Sequence, residues 1–121
     1  MRAEMLTSTL NELNGTSADI EASGIISTDG LMMASVLPAN LDEDRVGAMS
    51  AAMLSLGDRT AQELARGTLE QVLIKGDGGY VLMTYAGNEG VLTVLAKPNA
   101  KLGLIFLDVK RAAGTISELL S

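Results

Sequence analysis

The stretch Leu41 to Arg66, LDEDRVGAMSAAMLSLGDRTAQELAR, decides how the rest of the chain is read, because it is the longest segment with a helical rhythm. Apolar residues recur at Val46, Met49, Met53, Leu56 and, after Thr60, Leu64. Steps of three and four place them on one helix face. Asp42 can cap the first turn, with Leu41 and Val46 as a hydrophobic staple, and Asn40 with Glu43 offers a competing capping-box register. Either way the helix starts within two residues of Asp42. Gly47, Ala48, Ser50, Ala51, Ala52 and Ser55 are all small, so another backbone can come close on more than one side. Gly47 and Gly57 each disfavour an isolated helix by about 1 kcal/mol relative to alanine, and packing must offset that. Two accounts fit: the small residues seat the helix on its own sheet, or one side meets the sheet and the other a second copy.

On the N-terminal side, residues 2 to 14 read as a helix with Ala3, Leu6, Leu10 and Leu13 on one face, ended by Asn14-Gly15 as a left-handed glycine cap. Ile20 to Thr28 and Leu31 to Leu37 read as strands joined by Asp29-Gly30 in a type I′ turn, and Pro38 closes the second. After Gly67 come three strands, Thr68 to Lys75, Tyr80 to Ala86 and Val91 to Lys97. The short glycine-bearing connections Gly76-Asp77-Gly78-Gly79 and Gly87-Asn88-Glu89-Gly90 imply an antiparallel meander. YVLMTYA and VLTVLA are apolar on both alternating faces, so they need cover above and below. In LGLIFLDVKRAAGTISELLS, Ile105, Val109, Ala112 or Ala113, Ile116 and Leu120 keep a three-four step too long for a strand. This is a helix capped near Asn99, with Pro98 just outside. The order α-β-β-α-β-β-β-α makes an α+β fold, a five-stranded antiparallel sheet with helices on both faces. Residues 1 to 121 contain no repeat or linker and read as one domain.

Composition narrows the function. The chain is 47% hydrophobic, yet it has one Phe, two Tyr and no Trp, so aliphatic residues and seven Met fill the interior. Met5, Met32, Met33, Met49, Met53 and Met83 suit an irregular core or an adaptable surface, and most are assigned to the core. A net charge of −6 with scattered basic residues argues against nucleic acid and against an anionic membrane surface. No apolar run approaches the roughly 20 residues that span a bilayer, and MRAEMLTSTLNEL lacks the apolar block of a signal peptide. A cytoplasmic protein is expected, with no membrane insertion. The absence of cysteine removes disulfides and thiolate chemistry.

Catalytic chemistry finds little to build on. Without histidine, the commonest general base, the commonest neutral metal ligand and the nucleophilic triads are missing together. Asp42, Glu43 and Asp44 sit at a helix start, where the dipole favours negative charge. Gly76 to Gly79 is followed by Tyr80 and a strand, not by the Lys-Ser/Thr and helix of a phosphate loop. Asp58 and Arg59, mid-helix beside Gly57, are read as marking its solvent or partner side. No catalytic, cofactor-binding or metal-binding residue is assigned.

The string of DG before a strand, DEDRVGAMSAAMLSLGDRTAQELARG, then TLEQVLIKGDGGYVLM, then GVLTVLAKPNAKLGLI resembles the bacterial Roadblock family, named for a dynein light chain. The likeness covers about Leu6 to Leu120 and rests on pattern over length. It implies a profilin-like domain that dimerises through its long central helix and the strand after it, joining two sheets into one. On that basis the dimer surface falls on Met49, Met53, Leu56, Thr60, Leu64, Glu70, Val72 and Ile74. The family's usual partners are small Ras-like GTPases, which it controls or scaffolds. Nothing in the chain marks an arginine finger.

Three readings follow: a non-enzymatic homodimeric regulator or scaffold of a small Ras-like GTPase, a dimeric adaptor without a GTPase partner, and a small-ligand sensor.

Overall fold

The computed structural model describes residues 2–121. Its elements are α1 (Arg2–Thr16), β1 (Ile20–Ser27), β2 (Met32–Val36), α2 (Glu43–Glu63), β3 (Val72–Gly76), β4 (Gly79–Ala86), β5 (Gly90–Ala96) and α3 (Leu102–Leu120). The strands form one sheet in the order β2-β1-β5-β4-β3, with antiparallel pairing throughout. The expected architecture is the one observed. β5 lies at the centre, and β2 and β3 are the two edges.

The two-sided apolar strands explain the layering, because alternate residues face opposite layers. Leu82 and Ala86 of β4 and Leu92, Val94 and Ala96 of β5 join Leu6, Leu10 and Leu13 of α1 and Ile105, Val109 and Ile116 of α3 in one core. The intervening Met83 and Val91 meet Leu54 of α2 and Ile26 of β1 in a second, smaller core on the opposite face. Thus α1 and α3 share one side of the sheet and α2 has the other.

Several local expectations are corrected. α1 continues through Gly15 to Thr16, whose hydroxyl donates to the Leu13 carbonyl, so Gly15 is not a left-handed cap. The β1–β2 turn is longer than a type I′ hairpin: the Gly30 amide donates to the Ser27 carbonyl and the Ser27 amide to the Leu31 carbonyl. Gly30 takes a φ of +93° while Asp29 does not have positive φ. This is a three-residue loop in which only the glycine adopts the left-handed region. Asn99 does not cap α3. Lys101 occupies the N-cap position without a side-chain cap, and its amide donates to Asp19 Oδ2 at 3.1 Å. β3 begins at Val72 instead of Thr68, because α2 stops at Glu63 and the chain turns through Ala65 (φ 58°) and Gly67 (φ 86°) before reaching the sheet.

Candidate functional site

The site is built from α2 outward. Asp42 caps the helix, its carboxylate accepting from the Asp44 amide. Glu43 accepts from the Ser35 hydroxyl, so the Asn40–Glu43 capping box does not form. The buried positions are Gly47, Ser50 and Leu54, not the apolar stripe. At Gly47 a Cβ would stand 2.6 Å from the Gly30 carbonyl oxygen, so the helix touches the β1–β2 turn backbone to backbone. Ser50 Oγ accepts from Thr93 Oγ1 at 2.7 Å within the buried layer. At Gly57 a Cβ would meet the Val72 and Leu69 side chains at 3.0 and 3.2 Å.

Asp58 does not mark a solvent or partner side as expected, because it serves its own fold. It is partly buried, and its carboxylate accepts from the Leu69 amide at 3.4 Å and from Gln62 Nε2 at 3.2 Å. It tethers the α2–β3 connection. Burial, with the nearby Asp58 charge, pushes the Tyr85 phenol above its ordinary value. Arg59 is exposed and pairs with Glu63 at 3.2 Å.

This seating makes Gly47 testable. Gly47→Ala is expected to lower stability by about 1 to 2 kcal/mol, because overpacking against fixed backbone outweighs the gain in helix propensity. Gly114→Ala, mid-α3 with nothing within 4 Å of the added Cβ, is expected to raise stability by roughly 0.5 to 1 kcal/mol. Thermal melts of the two variants measure the contrast. Stabilisation by both would mean that α2 is not held against the turn.

With small residues and Leu54 turned inward, the stripe is left on the outer flank. Met49 is 52% exposed, Leu56 60% and Leu64 64%, while Met53 is half-buried. Between this flank and the β3–β4–β5 face runs a groove of about 450 Å³, walled by Leu41, Val46, Met49, Met53, Ile74, Val81 and Leu95. Ser50 and Thr93, already bonded to each other, are its polar lining residues.

The eight residues assigned to a dimer surface therefore separate. Met49, Met53 and Ile74 meet in the groove. Leu56, Thr60 and Leu64 continue along the helix beyond it, with the Thr60 hydroxyl donating to the Leu56 carbonyl. Val72 is partly buried in the α2-side core. Glu70 lies outside β3, its carbonyl accepting from the Thr84 hydroxyl at 2.9 Å. Val81 and Leu95 line the groove but were not among the eight. Their alternation with Leu82 and Val94 was the available signal. Met83 is buried and Met32 and Met33 are partly buried, whereas Met5 joins Met49 at the surface, so the core assignment holds for only some methionines.

An apolar groove without an ionisable lining residue is suited to apolar contact, not to proton transfer. Among the described residues, no group of three or more acidic residues could hold a metal ion. No helix among them is long and apolar enough to cross a membrane.

Residues 5–96 match the family model of the Roadblock/LC7 domain. The chain belongs to the Roadblock/LC7 family. An uncharacterized protein from Methanocaldococcus jannaschii is 44% identical over 115 residues, spanning 95% of this chain and 99% of that one. The fold is also similar to that of the Roadblock/LC7 domain from Streptomyces avermitilis, with a TM-score of 0.88 at 19% identity, over 94% of this chain and 96% of that one. An MglB solved with a tetrameric arrangement has a TM-score of 0.88 at 19% identity, over 98% of this chain and 89% of that one. Within this Roadblock fold, the apolar groove of α2 reaches Ile74 of the edge strand β3.

Proposed function

We propose that residues 1–121 act as one Roadblock-type domain, a non-enzymatic homodimeric regulator or scaffold of a small Ras-like GTPase working in the cytoplasm. The observation that carries the dimer is the exposed apolar flank of α2 lying beside an open strand edge. A lone protomer leaves Met49, Leu56 and Leu64 in water together with Leu73 and Ile74 of β3. Exposed apolar surface next to an unpaired edge is an aggregation hazard unless another chain covers it.

The two edges are not equivalent. β3 pairs with β4 in unbroken register from Val72–Met83 to Gly76–Gly79, so no bulge interrupts it. β2 carries a register shift opposite Ile25 and Ile26, and Pro38 follows it closely. A bulge and a nearby proline blunt an edge. β3 is therefore the edge we assign to pairing, with Met49, Met53, Leu56, Thr60, Leu64 and Ile74 facing the second copy and Glu70 and Val72 at its margin. The tetrameric arrangement of MglB supports self-assembly as a property available to this fold.

The GTPase partner is supported by family membership. A regulator shifts its partner's equilibrium only through differential affinity for the two nucleotide states. Titrating the protein against small Ras-like GTPases loaded with nucleoside triphosphate or diphosphate, read by thermal shift, is expected to show at least about tenfold preference for one state, or roughly 1.4 kcal/mol. Equal affinity for both states would leave a scaffold or adaptor. Binding to neither would remove the GTPase from the proposal.

A further inference from the structure

We draw no further inference here: the strongest candidate, the apolar groove that α3 and the Leu69–Gln71 segment form beside Thr84 and Tyr85 of β4, with Phe106 and Leu107 on its wall, is an unpartnered face, and nothing in the structure shows what covers it.

Discussion

Met49→Glu is expected to yield a folded monomer, with light scattering after sizing returning the 12.6 kDa chain mass where the unaltered protein returns twice that. Met49 projects from the outer flank of α2 and is about half exposed, so within one protomer the glutamate can remain hydrated. In the proposed pair the same carboxylate would lose its water against Val46, Met53 and Ile74 of the groove wall. A two-fold contact repeats each substitution on both sides. Stranding an unpaired charge costs several kcal/mol, so a loss of about 3 kcal/mol or more is expected, at least about a hundredfold in Kd. Met53→Glu should separate the chains as well, but Met53 also packs against the α2-side core, so a lower melting temperature is expected with it. An unchanged mass for Met49→Glu, with the fold intact, would show that the flank is not where copies meet. A monomeric unaltered protein would remove the dimer altogether.

The largest effect on folding is expected at Gly79, where β3 turns into β4. Its φ is +145°, and a Cβ there would sit 2.2 Å from the carbonyl oxygen of Ala96 on the neighbouring strand. The atoms it would meet, in Ala96 and Lys97, are all backbone, so the sheet itself must part. Gly79→Ala is expected to cost on the order of 3 to 5 kcal/mol, at the upper end of single-residue effects. At a urea slope of about 1.5 kcal/mol per molar, the midpoint should fall by roughly 2 M or more. Gly78 provides the comparison: its φ is not positive and nothing lies within 4 Å of an added Cβ. Gly78→Ala should therefore stay within about 0.5 kcal/mol of the parent. Equal midpoints for the two variants would contradict the close approach at Gly79.

Element order and layering were legible in the sequence because they depend on periodicity, which local order preserves. The alternation in YVLMTYA and VLTVLA specified cover on two faces, and the three-four step from Ile105 to Leu120 specified a helix despite Gly103 and Gly114. Element ends were less legible where long-range contacts decide them. Lys101 begins α3 because Asp19, distant in sequence, accepts its amide. β3 starts late because Asp58 and Thr84 hold Leu69 and Glu70 in the connection before it. The inward face of α2 was hidden for a related reason. A period of 3.6 identifies an apolar stripe, and that stripe is usually turned inward. Here Gly47 and Ser50 face the sheet and most of the stripe is left outside; the small residues pointed to this seating, and the contacts with Gly30 and Thr93 decide it.

The unequal thickness of the two layers gives the molecule evolutionary latitude. The side holding α1 and α3 encloses most of the protomer's buried apolar residues, whereas the side under α2 encloses Ile26, Leu54, Met83 and Val91. Selection can therefore retune the residues on the exposed ridge of α2 while the better-filled half keeps the scaffold intact.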